Sequence, residues 1–230
     1  MQRTTTLAAM AVSFAAAGPA IAADICHPPP PRRVAEVFVS ADCDACWQHA
    51  DAPTLAPGTL RLDWVVPGLK GDEAPLAVAA VSESQARLKH ALAPEGGTLQ
   101  AQALAPWRGL SLKAEIGLAW NGYLGIAITA TRAHNAAPLP ADARAWLALI
   151  ERVPAGEDGT PVARQLVRTV IGPLPLAWRA GQASTQELRA VLIPPNAKAD
   201  RLATAAWVER ADGRMLAAAE SAPAGCEAGS

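Results

Sequence analysis

Phe38-Val39-Ser40-Ala41-Asp42-Cys43-Asp44-Ala45-Cys46-Trp47 is the stretch that decides how this chain is read. It opens at the end of an apolar run, Val34-Ala35-Glu36-Val37-Phe38-Val39, whose length and β-branched content predict a short buried strand. Ser40 to Asp42 turn the chain, and Asp42 stands where a helix N-cap belongs, so a helix is expected from Cys43 to about Ala50. The cysteines are spaced C-x-x-C. A thiol at a helix start faces free N–H groups and the positive end of the helix dipole, both of which favour the thiolate. A second thiol one turn on can resolve a mixed disulfide. Cys43 is thus the candidate attacking thiol and Cys46 the resolving one, with protein thiols as the partner class. Asp42 and Asp44 flank Cys43, and their charges oppose a thiolate. The same spacing leaves open a pair that stays closed as a structural bond.

Outward from this stretch, the N-terminus reads as a secretory signal peptide over residues 1–22. Arg3 gives the positive n-region, and Leu7 to Ala17 form an apolar run too short to span a bilayer. Ala20-Ile21-Ala22 supplies the small-x-small cleavage site. The expectation is export to the periplasm or beyond, with no membrane segment after cleavage. About 208 residues would remain, enough for one large domain or two small ones. In an oxidising compartment the other two cysteines, Cys26 and Cys226, lie near the two ends of the mature chain. They are expected to form a structural disulfide stapling those ends.

Beyond the C-x-x-C, Thr59 to Val66 reads as a second strand, with Leu60, Leu62 and Trp64 alternating against Arg61 and Asp63. Ala74 to Leu92 is mostly helical in pattern, with Ser84, Arg87 and Lys89 on the wet side. Strand, helix, strand, helix predicts an α/β unit with parallel strands. After Gly109 the period changes to two. Leu110, Leu112, Ala114, Ile116 and Leu118 alternate with polar residues, and Asn121-Gly122 is a strong hairpin signal before Tyr123 to Thr131. Further strands are expected at Ala143 to Val153, Val162 to Ile171 and Glu187 to Ile193. A last hairpin, Ala203 to Glu209 with Arg214 to Ala219, turns at Asp212-Gly213.

On these residues the chain resembles a family of secreted bacterial proteins known as domain of unknown function 1223. Family members carry a strand followed by Thr-Ser-Gln-Gly-Cys-Ser-Ser-Cys, which Ser40, Cys43 and Cys46 match. Leu62-Asp63-Trp64 is similar to the end of the family's second strand, and Gly156-Glu157-Asp158-Gly159 through Val167-Arg168 is similar to a later segment. The resemblance implies an α/β-plus-β fold: a shortened thioredoxin-like unit over residues 34–105, then an antiparallel β-sandwich-like domain over residues 110–222. It implies no particular reaction. Thr98-Leu99-Gln100 carries leucine where the family's run carries the proline that faces the C-x-x-C.

Other chemistry is sparse. His49 follows Cys46 by three residues, so Cys43, Cys46 and His49 form a weak candidate site for Cu(I) or Zn. Asp63 is a candidate proton acceptor for the thiol pair. Seven tryptophans are read mostly as core, with an aromatic binding face as the alternative. No Gly-x-Ser-x-Gly, phosphate loop or His-Glu-x-x-His is present, and no cofactor is expected. The net charge of −1 and the lack of a basic run exclude a nucleic-acid-binding footprint.

Overall fold

The computed structural model describes residues 28–49, 55–90, 98–178, 181–224 and 226. The expected signal peptide and Cys26 lie outside these residues. No described helix is long and apolar enough to cross a membrane.

β1 (Arg33–Ser40) and β2 (Thr59–Val66) run parallel, with Val37 opposite Asp63. α1 (Asp44–Gln48) lies between them, and α2 (Glu83–His90) follows β2. The strands obey the sequence pattern, but the helices are shorter than expected: Cys43 rather than Asp42 caps α1, and the stretch expected as helix from Ala74 holds a 3-10 turn at Ala77–Ala79 before α2. The continuation of the sheet departs from the pattern. β3 (Thr98–Ala103) pairs antiparallel with the outer edge of β1. The other edge of β2 is taken by β7 (Arg164–Leu174), in parallel, with Asp63 opposite Leu166. β6 (Arg144–Val153), β9 (Leu202–Glu209) and β10 (Met215–Glu220) then extend the sheet with antiparallel pairings. The result is one seven-stranded sheet of order β10-β9-β6-β7-β2-β1-β3.

The fold is therefore β-rich, and the expectation of an α/β thioredoxin-like unit followed by a β-sandwich-like domain is overturned. A thioredoxin-like arrangement needs helices covering both faces of its sheet. Here the described residues hold two α-helices, of 5 and 8 residues. β2 is buried on both faces, with Leu60, Leu62 and Trp64 on one and Asp63 and Val65 on the other, so its free edge must be paired and covered. It finds its partner in β7, a strand from the later half of the chain, rather than in a further βαβ unit.

The sheet curls. β10 packs against β1 and β2 across the concave side. The segment after β3 is stitched to β10, with Ala105 N–H donating to Met215 O at 2.9 Å and Trp107 N–H to Leu216 O at 3.3 Å. Inside the curl lies a core of Phe38, Leu62, Trp64, Ile150, Trp207 and Met215. On its convex side a second sheet, β4 (Leu110–Trp120), β5 (Tyr123–Arg132) and β8 (Ser184–Leu192), packs against β6 and β9. Leu124, Ile126 and Ile128 meet Leu147, Leu149 and Val208 there. Strict alternation along β6 and β9 serves both cores. Trp146, Ala148 and Ile150 face inward with Ala203, Ala205 and Trp207, while their neighbours face the second sheet. The many alanines on β9 keep these layers thin enough for large residues opposite. Asn121 (φ 49°) and Gly122 (φ 81°) form the expected left-handed turn between β4 and β5, a conformation that Asn and Gly tolerate.

Candidate functional site

The C-x-x-C sits where the sequence places it, at the end of β1. The strand delivers Ala41, fully buried, whose N–H donates to Val66 O at 2.8 Å and whose carbonyl accepts from Leu76 N–H at 3.1 Å. The chain then rises to the surface. Cys43 and Cys46 are disulfide-bonded and half-buried, with Cα atoms 5.2 Å apart. Cys43 is the N-cap of α1, and its Sγ accepts the backbone N–H of Cys46 at 3.2 Å. That donor favours negative charge on Cys43 once the bond is reduced. With only five residues, α1 adds little dipole, so this single N–H is the main local stabiliser.

The flanking acids are already engaged. Asp42 accepts from the backbone N–H groups of Leu69 (2.7 Å) and Lys70 (3.2 Å), and so latches the loop after β2 over the cysteine turn. Gly68 permits this approach, since a Cβ there would stand 2.2 Å from the Asp42 carboxyl carbon. Asp44 accepts from the Gln48 amide at 2.5 Å. Two N–H donors offset the charge of Asp42, so it opposes a thiolate less than the sequence alone suggests.

Beneath the turn lies an anchor that sequence reading missed. Trp47 is buried and donates its indole N–H to Asp158 O at 2.8 Å. The Arg164 guanidinium stands 4.5 Å from the centre of the Trp47 ring and donates to Trp47 O at 2.9 Å and Cys46 O at 3.5 Å. Burial lowers the Arg164 pKa from its ordinary value, against the opposing pull of Asp63. Asp63 is itself buried. It binds Arg61 through two bonds of 2.6 and 2.8 Å, Arg164 at 3.2 Å and the Gln165 N–H at 2.8 Å. It reaches the Cys46 carbonyl through Arg164 and makes no contact with either sulfur, so it acts as a support.

His49 is exposed at the end of α1, and the two candidate thiolate ligands are consumed in the disulfide. Among the described residues no group of three His, Cys, Asp or Glu side chains is arranged to hold a metal. Cys226 is not a free thiol, while Cys26, its expected partner, lies outside the described residues. Ser84 and Arg87, expected on the wet face of α2, point inward: Ser84 is fully buried, and Arg87 bridges Glu36 and Glu209. The tryptophans divide, with Trp47, Trp64 and Trp207 in the core and Trp120 at 84 % exposure on the β4–β5 hairpin.

No protein-family model and no curated protein matches the chain. Among solved structures, the chain is similar to HBP35 of Porphyromonas gingivalis, at 10 % identity and a TM-score of 0.54, over 87 % of this chain and 79 % of that one. At that identity the likeness concerns the fold alone. MtrC from Shewanella baltica OS185 matches over 51 % of this chain and 22 % of its own, at 14 % identity and a TM-score of 0.31, which carries no argument.

Proposed function

We propose that this is an exported thiol–disulfide exchange protein acting on protein thiols through Cys43 and Cys46. The observation that carries the reading is the half-exposed disulfide whose Cys43 Sγ takes the Cys46 backbone N–H. In the reducing direction, the Cys43 thiolate attacks one sulfur of a substrate disulfide and expels the other as a thiolate. The Cys46 thiolate then attacks Cys43 Sγ in the mixed disulfide. The Cys43–Cys46 bond forms, and the substrate leaves with two electrons as its dithiol. The oxidising direction reverses these steps. The C-x-x-C spacing with Cys43 at the start of α1 supports this placement of roles, and the apolar leader supports export.

The Arg164–Trp47 anchor favours a second reading, in which the disulfide is a structural clasp on a non-enzymatic binding protein. It fixes the main chain on the Cys46 side whichever way the sulfurs are bonded. Equilibration of the protein with glutathione buffers separates the two. A reduction potential in the range of disulfide catalysts, about −120 to −270 mV, supports exchange. A value below about −300 mV overturns it in favour of the clasp.

A further inference from the structure

The open end of the curled sheet holds a cavity of about 530 Å³, on the concave side away from the second sheet. That volume lies within the range of small-molecule sites. One wall is aromatic: Trp146 and Trp207 stack with ring centres 6.1 Å apart and planes 9° from parallel. Gly172 lets Trp146 lie there, since a Cβ on it would stand 2.3 Å from the ring.

The floor is charged and out of balance. Arg87 donates to both oxygens of Glu36, at 2.7 and 2.9 Å, and to Oε1 of Glu209 at 2.7 Å. Glu36 also accepts the Trp64 indole N–H at 3.1 Å. Burial disfavours the Arg87 charge, but the two carboxylates outweigh it and hold its pKa above the ordinary value. One guanidinium thus faces two buried carboxylates. Glu36 is fully satisfied, whereas Oε2 of Glu209 is buried without a partner among the described residues. The indole nitrogens of Trp146 and Trp207 also lack a partner, but as donors they call for an acceptor and do not bear on the choice of a cation. The rim adds Arg144 and Arg210 against Glu83 and Asp142, and so leaves the excess negative charge unchanged. A buried polar atom with no partner is costly, and a buried unpaired charge more so. Such a group in a cavity wall marks where a ligand completes the set.

We propose that this cavity binds a small organic cation: an ammonium or amidinium group on a flat apolar body. The cation neutralises the Glu36–Arg87–Glu209 triad beside Glu209, and the body lies against the Trp146–Trp207 wall. Arg87 already stands 5.6 Å from the centre of the Trp207 ring, so the wall serves the apolar body of the ligand, and the unpartnered Glu209 oxygen sets the sign. The site is independent of Cys43 and Cys46, so its failure leaves the exchange reading untouched.

The test is calorimetric titration of the full chain with 2-phenylethylamine, its neutral analogue 2-phenylethanol and the anion phenylacetate. Saturable one-site binding of the amine is expected, about tenfold tighter than the alcohol, as a charge-assisted hydrogen bond gives over a neutral one. Phenylacetate should not bind. Glu209→Gln should bring the amine down to the affinity of the alcohol. Ala86→Trp, at an exposed position on the cavity rim, should abolish binding of both by filling the mouth. Equal affinity for amine and alcohol, absence of saturable amine binding, or unchanged binding in Ala86→Trp overturns the proposal. If Glu209→Gln does not fold, the amine-to-alcohol ratio and the Ala86→Trp titration decide.

Discussion

Two buried ionic clusters of opposite imbalance lie on opposite sides of the sheet at β2, where Asp63 belongs to one and its neighbour Trp64 bonds the other. On one face, beneath the cysteine turn, Asp63 faces Arg61 and Arg164, and both of its oxygens are taken. On the other, Arg87 faces Glu36 and Glu209, and one carboxylate oxygen is left without a partner. The first cluster spends its donors on the main chain: Arg164 holds the carbonyls of Cys46 and Trp47. The second spends its donors on side chains at a cavity wall. A closed network fixes a backbone, whereas an open one is ready for a charge from outside. The same residue types, on opposite sides of one sheet, thus serve a scaffold on one side and a candidate receptor on the other.

The largest effect should come from breaking the closed network. Arg164→Met leaves the Trp47 and Cys46 carbonyls without their donor and removes one of the cations on buried Asp63. About 3–5 kcal/mol of stability should be lost in urea unfolding. The double variant with Asp63→Asn should lose less than the two single losses added together, since the groups act as one unit. Full additivity would show that the cluster is not coupled.

Next in size is the contrast between the two glutamates of the open network. Glu36→Gln disrupts a satisfied bidentate pair and should cost about 3 kcal/mol. Glu209→Gln removes the surplus charge and should cost under about 1 kcal/mol. Equal costs by thermal or urea melts would mean that the surplus charge is not where the geometry puts it.

A smaller, pH-dependent effect comes from Glu220, which borders the closed network through Arg152 at 2.5 Å and Gln165 at 2.9 Å. Burial raises its pKa above the ordinary 4.5, with Arg152 opposing. The folded state then holds the proton more tightly than the unfolded one. This contribution to stability is therefore greatest at low pH and falls as pH rises through 4.5 and beyond. Glu220→Gln should flatten the stability profile just above pH 4.5. A profile as steep as that of the parent protein would count against the burial.

The smallest effect belongs to the turn itself. Asp44→Asn, with the Gln48 contact retained, should speed iodoacetamide labelling of reduced Cys43 near neutral pH by less than threefold, and more at low salt. Asp42→Asn weakens the latch on Leu69 and Lys70, so it should change proteolytic sensitivity of the loop after β2 more than thiol reactivity. A larger kinetic effect at Asp42 than at Asp44 would reverse that assignment.

Local features were legible because local forces set them. The alternation of Leu60, Leu62 and Trp64 placed β2 at Thr59–Val66, and Asn121-Gly122 placed the β4–β5 turn. The C-x-x-C spacing placed a disulfide that the structure contains. β3 escaped notice because Thr98-Leu99-Gln100-Ala101-Gln102-Ala103 carries almost no β-branched or aromatic signal, and its pairing with β1 supplies what propensity does not. Ser84 and Arg87 were misplaced because polarity predicts exposure only when no buried partner exists. Glu36 and Glu209 lie 173 positions apart in sequence but are joined through one guanidinium. No short-range pattern encodes that.

The sequence by itself determined the strand periods, the hairpin turns and the position of the cysteine pair, since each depends on neighbours a few residues away. Only the tertiary structure decided that β2 pairs with β7, that one sheet crosses both halves of the chain, and that a tryptophan-walled cavity opens at its end. The physical reason is the free edge of β2. A strand buried on both faces must be paired and covered, and which distant strand does so is chosen by packing over the whole molecule, not by any local run of residues.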